Sequence, residues 1–540
     1  MHIFPVTTSQ QTLLRDYYQQ NQLIMNKFEY NPFDKEAMIQ RLENIKERTY
    51  NREQLVDVLI QLNKRWGAEQ QTFHNIELLH NSNSVVVIGG QQAGLLSGPL
   101  YTIHKIISIL TFAKQQSQRL GVPVIPVFWI AGEDHDFDEI NHIMIPNNGK
   151  LKKHRFDPHA NHKNSVSSMK FDHDEMVNWV NKLFQSMEET TYSKSLYSLI
   201  IKRLKQSSTY VDFFAQLIQS LFKEEGVVLI DSGDPAIRQL ESSAFQEMIT
   251  KQPSISRGVF QQLQKVKQAG YSVSVDVEEN DGHLFYHVNG DRILLMKQDD
   301  GTWEGKNQEC KLTTDELLTI AEQTPERLSN NVVTRPVMQE WLFPTLAFIA
   351  GPGELGYWSI LKPAFQALDL TMPPVCPRIS ITLLDRKSEK FSEQYGISIE
   401  EVINHGVEYQ KINWLRNQQT PPLDQLVEQI TEAMTRIHQP LRDVAAAHSP
   451  DLKQISEKNL AYIHQHVTYL QKAIEKESMA KHQRVIRNFD AMQLLLRPDN
   501  GLQERCWNIV SFLNQYGFEW LNQLIQYEYS FSGKHYVAKL

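Results

Sequence analysis

The chain has 540 residues, more than one hydrophobic core usually holds, so about two or three structural units are expected. Hydrophobic residues at 41% and charged residues at 22% suit a globular protein and exclude a disordered one, and a formal net charge of −8 argues against nucleic acid as the main partner, because counterion release needs clustered Lys and Arg. Cys310, Cys376 and Cys506 lie too far apart for a disulfide framework or a CxxC metal site, which points to a reducing cytoplasm; the N-terminus does not read as a signal peptide, and no stretch approaches the roughly 20 apolar residues of a membrane span.

Residues 10–80 carry apolar positions at helical spacing. Ser84–Ile88 then reads as a strand, followed by GGQQAGLLSGP and a helix over Leu100–Arg119, with Gly98 as N-cap, Pro99 in the first helical position and Gly121 as the stop. Val122–Ala131 is apolar on both faces, as a central parallel strand is, and ends in GEDHDFDEINH. Gly226–Asp231, Thr345–Ala350 and Pro374–Leu384 read as three more strands, the first two followed by loop and helix. Strands alternating with helices predict an α/β fold with a doubly wound parallel sheet, whose ligands bind beyond the C-terminal strand ends.

Two insertions interrupt this core. One, about 150–222, has helical patterns; the other, about 265–330, has short alternating runs split by Asn280-Asp-Gly282 and Asn289-Gly-Asp291, the turn chemistry of a small antiparallel sheet. The boundaries expected are 1–385 for the core with its insertions, 386–498 for a helical region, and 499–540 for a helical tail packing on the core. Leu423, Leu426, Ile430, Met434, Ile437, Leu441 and Val444, then Ile463, Val467, Leu470 and Ile474 after Ser449-Pro450, predict an antiparallel coiled-coil hairpin, kinked at Pro440.

Four loops after strands carry residues suited to chemistry. Gly89, Gly90, Gln91, Gln92, Gly94, Ser97 and Gly98 let the backbone approach an anion beside a helix N-terminus, with Tyr101, His104 and Lys105 in the first two turns; Leu95 and Leu96 stand where a Walker A motif needs Lys and Ser/Thr, so that motif is rejected. The alternative for this loop is tight helix–strand packing. Glu133, Asp134, His135, Asp136, Asp138 and Glu139 crowd five carboxylates and a histidine after a buried strand, suiting general-base work or Mg²⁺ binding; an acidic helix start is the alternative. Asp231 can orient a hydroxyl or an amine, while Asp234-Pro235 fits a helix cap. Gly351, Gly353, Glu354 and Tyr357 can cover a small polar substrate, with Arg335 and Arg378 as candidates for an anionic group.

IGGQQAGLLSGPLYTIHKIISI, PVFWIAGEDHDFDEINH, FIAGPGELGYW, PRISIT and the tail's LQER are similar to the BshC family of bacillithiol biosynthesis, and the resemblance runs along essentially the whole chain. It implies a Rossmann-like core interrupted by connecting segments, an α-helical coiled-coil arm supporting a homodimer, and a ligase joining cysteine to glucosaminyl malate. It marks Gly89–Gly98, Glu133–Phe137 and Gly351–Gly356 as the pocket, although Gly89 stands where the family more usually has Thr or Ser. Such a reaction needs an activated carboxyl, hence ATP with ADP or AMP as product and Mg²⁺ beside it. His135 or Asp136 is then the expected base, and the glycine loop and helix N-terminus the expected holders of phosphates or malyl carboxylates. A metal-dependent hydrolase using EDHDFDE and a coiled-coil scaffold are the competing readings.

Overall fold

A computed structural model describes residues 1–134, 136–147, 149–157, 165–288, 291–418 and 422–540. They divide into two compact units, one of Met1–Asn147, Leu151–Leu383 and Gln503–Leu540, the other chiefly Leu384–Leu502.

The first unit is built on five parallel strands: β1 (Val85–Gln91), β2 (Val124–Ile130), β3 (Val228–Asp231), β4 (Thr345–Ala350) and β5 (Val375–Pro377). Their order is β5-β4-β1-β2-β3. Every residue of β2, β3 and β4 is buried, as the unbroken apolar runs require of a sheet covered on both faces. Helix α1 (Leu100–Leu120) packs against β1 and β2 and ends at Gly121, whose left-handed φ of 67° closes it. Helix α2 (Pro235–Gln268) follows β3, its first turn capped by the Asp234 carboxylate, which accepts from Ala236 N–H. Helices α3 (Thr334–Leu342) and α4 (Pro352–Trp358) flank β4.

Three local expectations are corrected. Pro99, not Gly98, is the N-cap of α1, because Gly98 takes a φ of 68° outside the helix. The expected strand Pro374–Leu384 divides into β5 and Ser380–Leu384, and the latter joins a separate sheet with His2–Val6 and His535–Lys539. The chain leaves β5 because Arg378 N–H donates to Ala350 O, while Ile379 N–H turns to the Ser108 hydroxyl. Asn280-Asp-Gly282 is not a turn between strands: Asp281 and Gly282 begin the strand Asp281–Val288, where a side chain at Gly282 would lie 2.5 Å from Leu295 O. That strand and Asp291–Lys297 pair antiparallel within a five-stranded sheet; residues 289–290 lie outside the described set. Between β2 and β3 come a two-stranded sheet (His142–Asn147 with Lys150–Arg155) and helices His173–Ser186, Ser193–Lys205 and Tyr210–Leu221.

In the second unit, α5 (Leu423–His448) runs through Pro440 and α6 (Pro450–Lys481) returns beside it. Ser449 caps α6, its hydroxyl accepting from Leu452 N–H at 3.2 Å, so the Ser-Pro pair closes the hairpin of the coiled coil.

Candidate active site

The strand order reverses between β1 and β4: β2 and β3 lie on one side of β1, β4 and β5 on the other. Neighbouring crossovers leave a crevice beyond the strand ends at such a point. A cavity of about 310 Å³ lies there. Gly90, Gln91 and Gln92 reach it from β1, Trp129, Ala131 and Asp134 from β2, and Phe348, Gly351, Pro352, Gly353 and Glu354 from β4 and α4. Tyr101 and Lys105 come from α1, and Arg335, Pro336 and Gln339 from α3; Glu139, Tyr357, Arg378 and Arg505 complete the lining.

Lys105 joins the two sides of the switch point. Its ammonium donates to Gly90 O at 2.6 Å, to Gln91 Oε1 at 3.3 Å and to the Glu354 carboxylate. Burial lowers the Lys105 pKa, with Glu354 opposing the shift. Glu354 also accepts Gly351 N–H at 2.6 Å, which caps α4 and fixes the carboxylate at the cavity edge. Asp134 lies 3.5 Å from Arg292 Nη1 and 3.6 Å from Arg335 Nη1, with Gln92 Nε2 at 3.5 Å. Burial raises the Tyr357 hydroxyl pKa, Glu354 adds to it, and Arg335 opposes it. Arg378, read as a candidate for an anionic group, is already held by Glu504 through a bidentate pair at 2.8 and 2.6 Å. Glu504 also meets His104 Nδ1 at 2.8 Å. Burial alone would raise the Glu504 pKa, but Arg378 and His104 hold it well below the usual carboxylate range.

Other candidates from the sequence stand outside the cavity lining. A Cβ on Gly89 would sit 2.9 Å from Ile349 O, so that glycine serves strand-to-strand approach. Gly94 and Gly98 face each other in a tight loop, where a Cβ on Gly94 would lie 2.7 Å from Gly98 Cα; Ser97 between them is buried. The start of α1 is covered by protein: Leu100 N–H donates to Trp507 O at 2.8 Å, and Asn508 Nδ2 donates to Leu96 O and Gly98 O. Glu133 is 1% exposed and pairs with Arg238 at 2.5 Å, which also holds Glu241 at 2.5 Å. Asp136 is exposed before the short helix Phe137–Ile140. Asp231 is buried, accepting from the Ser167 hydroxyl at 2.7 Å and Gly233 N–H at 3.0 Å; burial pushes its pKa up to about 6 against those two donors. His135 lies outside the described residues. Among the described residues no group of three or more His, Cys, Asp or Glu is placed to hold a metal ion.

Sequence reasoning missed four groups. Trp129 was hidden inside an apolar run, and Gln339 inside a helix without a motif. Glu504 and Arg505 belong to LQER, which carries a resemblance but no spacing rule that ties it to Arg378. Only three-dimensional proximity brings them to the site.

The fold and site define a Rossmann-like α/β protein with a coiled-coil unit and a polar, charge-lined cleft at the switch point of its sheet. Residues 1–379 match the family described as "Bacillithiol biosynthesis BshC, N-terminal Rossmann-like domain", and residues 381–540 match "Bacillithiol biosynthesis BshC, C-terminal coiled-coil domain". The chain is 40% identical to a protein of Oceanobacillus iheyensis over 98% of each chain. It is 38% identical to one of Bacillus cytotoxicus and 37% identical to one of Bacillus cereus, each over 100% of both chains. All three carry the name "Putative cysteine ligase BshC". The chain belongs to the BshC family of bacillithiol biosynthesis.

Proposed function

We propose that this chain is a cytoplasmic ligase that joins the carboxyl of cysteine to the amine of glucosaminyl malate, with ATP as the activating substrate. One observation carries the reading. Three segments that resemble the family, distant in sequence, contribute Gly90–Gln92, Asp134 and Gly351–Glu354 to the same cavity. No described helix is long and apolar enough to cross a membrane.

A carboxylate does not react with an amine directly, so its oxygen must leave as part of a phosphate or an adenylate. ATP then becomes ADP and phosphate, or AMP and pyrophosphate, while the amine nitrogen forms the amide bond and releases a proton. The cavity has the charge for such substrates. Arg335 and Arg505 line it and suit carboxylate or phosphate oxygens. Lys105 lies deeper, held by Gly90, Gln91 and Glu354. Asp134 and Glu139 are the described carboxylates of the acidic motif that line the cavity, and Asp134, beside Gln92, takes the base role in preference to Asp136; His135 stays a candidate of the same motif. Mg²⁺ enters as the companion of the nucleotide, with no protein ligand set assigned.

The coiled-coil unit supports a homodimer. Ile437, Leu441, Val444 and Leu470 belong to its apolar repeat yet are 79%, 62%, 57% and 60% exposed in the single chain. A second copy covers such a face at no cost in unpaired polar groups.

The test is a product assay with the full chain, cysteine, glucosaminyl malate and Mg-ATP, followed by mass spectrometry. Bacillithiol with equimolar ADP or AMP supports the reading. Substrate hydrolysis that needs a divalent metal and no ATP would replace it with the hydrolase reading.

A further inference from the structure

Two groups at the cavity are not used by that reaction scheme. Trp129 is 0% exposed and Gln339 3% exposed, and Trp129 Nε1 and Gln339 Oε1 have no hydrogen-bond partner among the described residues. Both residues line the cavity. A buried polar atom without a partner is disfavoured and calls for an explanation, and at a cavity wall a bound polar group is one that would supply the missing hydrogen bond. Gly90 stands opposite Trp129 in the parallel register, and a Cβ there would lie 2.7 Å from Trp129 O and 3.5 Å from Trp129 Cδ1, the ring atom beside Nε1. A larger residue at 90 would meet the Trp129 backbone carbonyl first, so the glycine allows the close strand-to-strand approach beside the indole. Phe348 and Pro336 add an apolar wall to the same cavity.

The pair is neutral, one donor and one acceptor, in a cavity whose other polar groups are mainly charged. Charged groups hold carboxylates and phosphates; neutral groups against apolar walls discriminate ligands by hydroxyls. A hydroxyl both donates and accepts, and a half-turn of the Gln339 amide exchanges its carbonyl for its NH₂. A pyranose ring brings an apolar C–H face and a hydroxyl edge together, which matches this wall. We propose that Trp129 and Gln339 form the neutral subsite that reads the sugar hydroxyls of the acceptor. The proposal rests on the ligase reading and adds a specificity determinant to it.

The experiment compares wild type with Gln339→Met and Trp129→Phe in the full chain. Turnover is followed as each of glucosaminyl malate, cysteine and ATP is varied, and glucosaminyl malate binding is measured by calorimetry without ATP. Gln339→Met keeps the length of the side chain and removes the amide. The expected result is a roughly tenfold or larger rise in KM and Kd for glucosaminyl malate, with the KM for ATP and cysteine within about twofold of wild type, because a site built to pair a hydroxyl loses that pairing. Trp129→Phe moves the same constants in the same direction. A Gln339→Met protein that melts at a higher temperature with unchanged acceptor constants overturns the proposal, since the amide is then only an unpaired core group. A rise confined to the KM for ATP also overturns it, assigning the pair to the purine. If wild type binds glucosaminyl malate but makes no product, the binding arm still decides the subsite while the ligase reading fails; if wild type neither binds nor turns over, both fall.

Discussion

Arg378 and Glu504 make the most exacting test of how this site is held. Both are buried, with side chains 5% and 2% exposed, and the guanidinium and carboxylate meet through two parallel hydrogen bonds. Removing one partner leaves a charge buried without its counter-charge, which costs about 3–5 kcal/mol. Among the described residues, Arg378→Met leaves Glu504 with His104 as its side-chain partner, and Glu504→Leu leaves the Arg378 guanidinium with the Ile379 carbonyl as its hydrogen-bond partner. The double variant Arg378→Met/Glu504→Leu replaces the pair by apolar groups of similar length, and apolar replacement of a buried pair is often nearly neutral. Urea unfolding of the three variants and wild type, followed by tryptophan fluorescence, is expected to show each single variant destabilised by about 3–5 kcal/mol and the double by less than either. The carboxyl of Glu504 titrates below its usual range in the folded chain, so its contribution is full above that range and is lost only as pH falls through the depressed value. Arg378→Met brings that loss to higher pH. A double variant as unstable as the sum of the singles would refute the coupling. A double variant with restored stability but a KM raised tenfold for either anionic substrate would show that Arg378 binds substrate as well as Glu504.

Asp231→Asn tests the buried carboxyl outside the cavity. Its folded pKa of about 6 against an ordinary 3.8 means the native state keeps a proton that the unfolded chain loses; stability is therefore full below about pH 3.8 and falls by about 3 kcal/mol up to about pH 6. Asparagine still accepts from Ser167 and Gly233, so the variant is expected to lose that decline and keep turnover; an unchanged slope between pH 4 and 6 in urea titrations rejects the assignment. Gly89→Ala is expected to destabilise by about 1–3 kcal/mol, because its Cβ meets Ile349 O at 2.9 Å, and an unchanged melting temperature would contradict the packing role. Ile437→Glu with Leu441→Glu on the exposed face of α5 is expected to shift the chain from dimer to monomer in sedimentation at micromolar concentration; a dimer that persists removes the coiled coil from that role.

The core of the fold was legible because its signals are local. Val124–Ile130 and Leu346–Ala350 are unbroken apolar runs followed closely by glycine, and a strand buried on both faces needs little else. The Ser449-Pro450 turn and the flanking repeat read directly as a hairpin. Errors fell where tertiary pairing overrides local preference. Pro374–Leu384 looks like one strand but serves two sheets, because Pro377 and Arg378 lie where the chain crosses from Ala350 to Ser108. Asp281-Gly282 has turn chemistry, yet Gly282 is needed inside a strand because Leu295 O leaves no room for a side chain.

The site was legible as composition and illegible as partnership. Sequence shows that Glu133, Asp134 and Asp136 are acidic and follow a buried strand; it does not show which of them keeps its charge available. Arg238, 105 residues away, takes Glu133 into a buried triad with Glu241, while Asp134 turns to Arg292 and Arg335 at the cavity. Likewise Lys105 meets Glu354 across 249 residues, and Arg378 meets Glu504 across 126. Each pairing removes one plausible anion-binding or basic group from the free set. Among the lining cations, Arg505 is the exposed one without an ion pair among the described residues. An incoming carboxylate or phosphate therefore meets Arg505 without displacing an ion pair of the described residues, whereas engaging Arg335 weakens its hold on Asp134. The physical sense of the acidic motif lies in that difference. Its first carboxylate is spent on holding the strand-end loop, and its second remains at the cavity, restrained by two arginines at 3.5 and 3.6 Å, distances long enough to be exchanged for a ligand.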